Sequence, residues 1–512
     1  MRVVRTEEIG PDTLSPFETY QVYNGLDCAL TVEIYQALQP FRTPQVEASY
    51  QRTLSLQAPA IHMMLRGFKI DQWRRQELID EFSARLARLQ RILDRFADAM
   101  WGKPLNPNSP AQMKAFFYEY LRLPPQSIFV KGERKISTNR ECLERLRDYH
   151  HPRPIINVLL AMRDCIKSLG VLRTGVDDDG RLRTSYNICG TETYRWSSSG
   201  NCWGTGTNLQ NITGDLRSIF EADPGWKLAY VDLEQAESRV VAYLSGDEEY
   251  IQACESGDLH TTVCRLVWRN DLPWTGDVAR DKKLADGSRF YRTYTYRDLA
   301  KRGGHGTNYY GKPATIARHL HITQKIAEEF QHAYFEAFPG IRRWHREVAQ
   351  ELQLTGKLAT PMGRVRHFFG RLRDDATLRK AIAFVPQSTI GDVLNEGLRK
   401  VYERFDLGIG HAADPNRIQM LGQVHDAFIF QYREDDEREI IPLVLEQMTV
   451  PVTIRGRTMV IPSEAQVGWN WDKVEKDKQG NVIGNPSGLV KFPRGGDTRQ
   501  RTQTLLLDRR FR

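Results

Sequence analysis

An α+β fold is predicted for this 512-residue chain, on three observations. Long stretches carry apolar residues at three-and-four spacing, the mark of amphipathic helices. A few short segments, KLAYVDL at 227–233 and MLGQVHDAFIFQYR at 420–433, read instead as strands. The chain is also too long for one ordinary core, and a prior of roughly 150 residues per domain suggests about three.

The elements follow in order. YNGLDCALTVEIYQAL (23–38) is a short helical pattern ended by Pro40 and Pro44. A helix-rich stretch runs from Gln45 to about Ala99, broken at RGFKID, where Gly67 marks a turn before a strand-like Phe68–Ile70. Within it, EFSARLARLQRILDRFADAM sets arginines on its polar face, a solvated surface or one that follows a nucleic-acid backbone. In LNPNSPAQM, Asn108-Ser109-Pro110 starts a further helix. KGERKISTNR (131–140) is a polar loop, with Ser137-Thr138 capping the next helix, and Thr184 to Asn211 is a long loop rich in Gly, Ser, Thr and Asn. The strand KLAYVDL leads into a helix, QAESRVVAYL, and helices dominate from about Tyr296 to Glu403. Two short strands then meet at His425-Asp426, and a last strand is expected near Ala465 to Trp469 before a polar, basic tail.

A net charge of +8 and a pI near 9.0 tilt the partners towards polyanions. No apolar run approaches the roughly 18 residues of a membrane span, and MRVVRTEEIG has no apolar core behind it, so neither membrane nor secretion is expected. Cys28, Cys142, Cys165, Cys189, Cys202, Cys254 and Cys264 form no C-x-x-C pair and read as reduced, mostly buried cysteines of a cytoplasmic protein.

Three segments carry chemistry. VDLEQAESR (231–239) and QVHDAFIF (423–430) each place an aspartate, Asp232 and Asp426, at the end of a strand or the tip of a hairpin. RDLAKRGGHGTNYYG (297–311) repeats Arg297, Lys301, His305 and Tyr309 every four residues, one slowly drifting stripe on a helix. Gly303, Gly304 and Gly306 each cost such a helix up to about 1 kcal/mol relative to Ala, so it is expected to be firmly ordered only with a ligand bound. Asp232-Leu-Glu234 also has the D-x-E form of a metal-dependent exonuclease, but the further acidic motifs of that enzyme do not follow.

In order and spacing these segments resemble family A DNA polymerases, with supporting matches in RGFKID, LNPNSPAQM, TYRWSSSG, NLQNI, FPGIRRW, TPMGRVR and VPQSTIGDVLNE, from Tyr20 to roughly Trp471. The resemblance implies a right-hand fold, with an antiparallel palm sheet and helical fingers and thumb. It implies an exonuclease-domain remnant at 1–45, thumb and connecting helices at 46–190, palm at 191–250 and 379–472, and fingers at 251–378. Residues 473–512 remain as a basic tail that touches DNA or a partner, or stays solvated. The implied substrates are dNTPs and primer-template DNA, in a bacterial or phage-infected cell.

The resemblance makes Asp232 and Asp426 catalytic ligands of two Mg²⁺ ions, with Mn²⁺ able to substitute and the Leu233 carbonyl as an additional ligand. Such ions stand about 3.5–4 Å apart and take hard oxygen ligands. Ala427 stands where the family often has a further carboxylate. Arg297, Lys301 and His260 are implied at the nucleotide phosphates and Tyr309 beside the templating base; Gln235 is assigned to nucleotide binding. His305 replaces the usual Phe or Tyr. Glu237 matches the family's steric gate against a 2′-hydroxyl. Arg195, Asn208, Gln210 and Asn211 resemble minor-groove readers, which bond the acceptors every base pair presents there. Arg239 and Gln387 resemble contacts to the gate or the template-primer, and His425 and Arg379 resemble contacts to the primer side.

Tyr23 and Asp27 resemble the last motif of the family's 3′–5′ exonuclease, yet only about twenty residues precede them. A lone carboxylate cannot build a two-metal site, so no proofreading is expected from this chain, with a separate exonuclease or replisome subunit as a partner. The rival readings are a single-subunit RNA polymerase and a non-catalytic DNA-binding accessory protein.

Overall fold

Ser15 opens the first described element because its side chain serves backbone donors that a helix leaves unpaired. It accepts from the Glu18 N–H at 3.3 Å, while the Glu18 carboxylate accepts from the Ser15 N–H at 2.8 Å. Helix α1 (Pro16–Leu38) follows from this capping box and buries none of its residues. The computed structural model describes residues 15–130, 133–147, 149–201, 204–291, 294–407, 417–477 and 479–493. The expectations placed on residues 1–14 and 494–512 and on Cys202 lie outside these.

Gly67 makes the turn expected at RGFKID. Its φ is 64°, and a Cβ there would meet the Leu182 carbonyl oxygen at 2.9 Å. Strand β1 (Phe68–Ile70) leads to Asp71, which accepts from the Arg74 N–H at 2.9 Å and caps helix α2 (Gln72–Trp101). Leu78, Phe82, Leu93 and Ala97 form the buried face of α2, with Arg85, Arg88, Arg91 and Arg95 exposed. Burying Phe82 and Leu93 contributes about 1.5–3 kcal/mol each. Helix α2 packs along α3 (Arg153–Leu172), and with Phe116, Phe117 and Leu143 the pair closes a core of its own.

The centre of the molecule is a 5-stranded antiparallel sheet. Its middle strand is β2 (Trp226–Leu233), which runs into helix α4 (Ala236–Ser245). A helical region follows, including α5 (Leu259–Val267), α6 (Tyr296–Asn308) and α7 (Gln324–Ala337), before the long helix α8 (Asp375–Val401) returns beside α4. Strands β3 (Ile418–Val424) and β4 (Ala427–Arg433) pair as a hairpin, and β4 pairs with β2. On the other side β2 pairs with β5 (Ser463–Gly468), and β5 with β6 (Val490–Lys491). Six successive residues of β4 are buried because both faces of the sheet are covered. Phe428, Phe430 and Tyr432 enter one core and Ile429 the other, the alternation a pleated strand imposes.

Several expectations change here. The polar loop expected at 131–140 contains strand Glu133–Ile136, paired with Ser127–Val130. Asn139, not Ser137-Thr138, caps the helix Arg140–Leu146. The loop expected from Thr184 to Asn211 contains the paired strands Ser185–Asn187 and Ser197–Ser199. The sequence reading ends the sheet near Trp469 and leaves a tail from 473. Instead Glu475–Lys476 and Val482–Gly484 form a hairpin, and β6 adds a strand to the sheet edge. These strands are two or three residues long, too short to show periodicity. The glycines of α6 have a packing reason. A Cβ on Gly303 would stand 2.6 Å from Phe330 Cε1, and one on Gly304 3.2 Å from Tyr334, so α6 lies against α7 more closely than any larger residue allows. Gly303→Ala is therefore expected to lower the melting temperature. Overpacking of about 1–3 kcal/mol outweighs the roughly 1 kcal/mol gained in helix propensity.

Candidate active site

The register of the sheet brings the two aspartates together. Asp232, near the end of β2, lies opposite Ala427 at the start of β4, which places Asp426 in the adjoining hairpin turn. The Leu233 N–H donates to the Asp426 carbonyl at 3.3 Å and locks the turn against β2. His425 holds a φ of 55° there, the kind of backbone a two-residue hairpin demands; in a non-glycine residue it costs about 1–3 kcal/mol.

Burial, the charge of Asp426 and then that of Glu464 push the Asp232 carboxyl up to about 7. Burial also raises Asp426, against the pull of Arg195. Two desolvated carboxylates that repel each other, both hard oxygen donors, suit a divalent cation. Among the described residues no three His, Cys, Asp or Glu side chains form a metal cluster.

Above this pair stands α6, whose Lys301 and His305 are exposed on one face. Thr295 caps it, with a reciprocal bond from Asp298. Arg297 Nη2 lies 3.1 Å from Asp258 Oδ1, so a carboxylate of the α5 cap aims the guanidinium. Burial, then Arg297 and Lys301, lower His260 to about 4, leaving it neutral at pH 7 beside two cations. Glu237, in the first turn of α4, faces His305, with Nδ1 to Oε2 at 2.9 Å. Arg195 Nη2 bridges Glu237 Oε1 (3.4 Å) and Asp426 Oδ1 (2.9 Å). Tyr309 packs edge-on to His305, and burial, followed by the Glu237 charge, raises its hydroxyl well above the usual range.

Arg195, expected in the minor groove, sits in the carboxylate cluster. Asn208 accepts from Ser198 Oγ (2.6 Å) and the Gln210 N–H (3.0 Å), acting as a local cap. Gln210 donates to Gln423 Oε1 at 2.7 Å, and Gln423 donates to the His425 carbonyl at 2.6 Å, tying NLQNI to the hairpin turn. Asn211, Arg379 and His425 are exposed and Gln387 is half-buried. Gln235 adopts a φ of 52° before α4, and its side-chain oxygen is buried without a partner. Arg239 is buried, its side chain 6% exposed, and pairs with Glu255 at 2.8 Å within the sheet's helical cover. Helical position alone does not separate a buried cation from a presented one.

Glu464 was missed by sequence reasoning. It is the direct partner of Asp232 on β5 and pairs with Lys491 on β6. Only sheet order reveals this, since 232 residues separate the two acids. Tyr23 and Asp27 are exposed on α1.

An antiparallel sheet presenting two carboxylates beneath a cation-striped helix is the arrangement of the right-hand polymerase fold. The chain belongs to DNA polymerase family A, whose model matches residues 75–473. It is 29% identical over 464 residues to the thermostable DNA polymerase I of Thermus filiformis, covering 87% of this chain and 50% of that protein. It is 27% identical over 492 residues to the DNA polymerase I of Chloroflexus aurantiacus, covering 90% and 47%. The chain thus spans about half the length of these relatives. Its fold matches the POL domain of Pol1 from M. smegmatis in complex with DNA primer-template and dNTP, with a TM-score of 0.65 at 26% identity, over 81% of this chain and 69% of that one. Among the described residues no helix is long and apolar enough to cross a membrane.

Proposed function

We propose that this chain is a DNA-templated DNA polymerase that joins a dNTP to a primer 3′-hydroxyl and releases pyrophosphate. The observation that carries the reading is the meeting of Asp232 and Asp426 on β2 and the β3–β4 turn, beneath the α6 stripe. Divalent metal ions, Mg²⁺ or Mn²⁺, supply charge neutralisation and an activated hydroxyl when bound. Asp232, Asp426 and the Leu233 carbonyl would hold them. Arg297 and Lys301 place positive charge at the triphosphate, where it stabilises the leaving oxygens. Neutral His260 offers those phosphates a hydrogen bond. Tyr309 closes the insertion site and Glu237 lies under the sugar. In this reading residues 46–190 form the thumb and connecting helices, 251–378 the fingers, and 191–250 and 379–472 the palm.

The phage-like wording of GGHGTNYYG and VPQSTIGD supports a role in copying a phage or bacterial genome. Asp27 brings one carboxylate where metal-dependent hydrolysis needs more, so the helix Pro16–Leu38 does not by itself supply a proofreading site. Primer extension with Mg²⁺ and dNTPs on matched and 3′-mismatched primers tests the whole reading. Extension without trimming of the mismatched end is expected. Binding of primer-template without extension would point to an accessory protein, and a preference for ribonucleotides to an RNA polymerase. Glu237→Ala is expected to raise ribonucleotide incorporation relative to deoxyribonucleotide, and an unchanged ratio would remove Glu237 from the gate.

A further inference from the structure

Glu237 is held from two directions. Its Oε2 lies 2.9 Å from His305 Nδ1, on a different helix and across the cleft between α4 and α6. Its Oε1 faces Arg195 Nη2 at 3.4 Å, the same nitrogen that reaches Asp426. An ionised carboxylate can only accept, so Nδ1 carries the proton in this contact. Burial alone would push the Glu237 carboxyl up; the contacts with His305 and Arg195 outweigh it and hold the group below the usual range, in its charged form. The Tyr309 ring stands edge-on to His305, with centroids 4.9 Å apart and planes at 60°, and limits how far the imidazole can turn.

A glutamate has three side-chain torsions and loses up to about 2 kcal/mol of rotamer freedom when fixed. Left loose, it can swing aside and admit a 2′-hydroxyl; anchored at both oxygens, it cannot yield. A Phe or Tyr at position 305, which would lack the ring nitrogen, could not make this contact. We infer that His305 is a positioning residue for sugar selection: it clamps Glu237 from the fingers helix, so that exclusion of ribonucleotides is a property of the His305–Glu237 pair. The inference rests on the polymerase reading and on Glu237 as the gate, and extends both to a residue whose role differs from its usual counterpart.

The test is single-nucleotide incorporation by the full chain on a DNA primer-template, comparing kcat/KM for each ribonucleotide with that for the matching deoxyribonucleotide. The variants are His305→Phe, His305→Gln, Glu237→Ala and the Phe/Ala double. Loss of a hydrogen bond to a charged group corresponds to roughly tenfold, so His305→Phe is expected to raise the ribose-to-deoxyribose ratio by about that factor. His305→Gln, whose amide still donates, is expected to stay near wild type. In the Glu237→Ala background the Phe substitution should add nothing, because the residue it positions is gone. An unchanged ratio in His305→Phe overturns the inference. So does an equal increment with and without Glu237, since His305 would then act on the sugar itself. If the wild type binds primer-template but extends it with no nucleotide, the polymerase reading falls and takes this inference with it, a result distinct from extension with an unmoved ratio.

Discussion

Asp232→Asn is expected to remove primer extension by about 10³-fold or more, and to make the metal-free fold more stable. The loss follows from the proposed role. Removing one of two carboxylates that hold divalent ions forfeits several kcal/mol of transition-state stabilisation, at about 1.4 kcal/mol per tenfold. The gain follows from the burial of Asp232 beside Asp426 and Glu464, which carries its carboxyl from the ordinary 3.8 to about 7. Between those values the folded chain binds a proton that the unfolded chain has released. Stability therefore falls as pH rises through this window, and the penalty is complete above about 7. The asparagine variant has no charge to bury. In EDTA its melting temperature should exceed that of wild type at pH 8, and the difference should close as pH falls to about 4. Added Mg²⁺ should shrink the gap at pH 8 by stabilising the wild type alone. Equal melting temperatures across the range would mean that Asp232 is not strained by its neighbours, and would weaken the case for a cation site there.

The parts of this site that could be read from sequence are those written as local pattern. KLAYVDL and the hairpin MLGQVHDAFIFQYR announce strands through β-branched and aromatic residues, and both aspartates fall at their ends. The stripe Arg297, Lys301, His305, Tyr309 follows from helical spacing. What stayed hidden depends on which segments become neighbours. Glu464 stands opposite Asp232 only because β5 is the next strand in the sheet. Arg239 looks like a presented cation until α4 is packed and Glu255 meets it. Gly303, Gly304 and Gly306 read as flexibility in a bare helix and as close approach once Phe330, Tyr334 and Ile316 are in place. The His305–Glu237 contact joins two motifs that sequence analysis treats separately. The strands after residue 473 were missed because two or three residues carry no period to detect.

The second large effect lies away from the reacting centre. Arg364→Met is expected to cost about 3–5 kcal/mol of stability, the usual consequence of leaving one member of a buried ion pair alone. Arg364 Nε and Asp392 Oδ1 are 2.5 Å apart, with side chains 2% and 3% exposed. The same guanidinium donates to Thr53 Oγ1 at 3.1 Å and lies over the Tyr194 ring, 4.4 Å from its centroid. It thus ties α8 to the helix Pro44–Leu54 and to the turn at Tyr194, whose φ of 59° precedes the arginine that reaches Asp426. Burial raises the Asp392 carboxyl, with Arg364 opposing; without Arg364 that opposition is lost and the carboxyl has to take up a proton or destabilise the fold. Two measurements separate charge from packing. Urea unfolding should show Arg364→Met/Asp392→Asn recovering much of the stability lost by the single variant, because no uncompensated charge remains. Primer extension should not recover in parallel, because the cation that sits over Tyr194 is still missing and Arg195 loses its support. If the double variant is as unstable as the single, the loss lies in the bonds to Thr53 and the stacking on Tyr194, and Asp392 is a bystander.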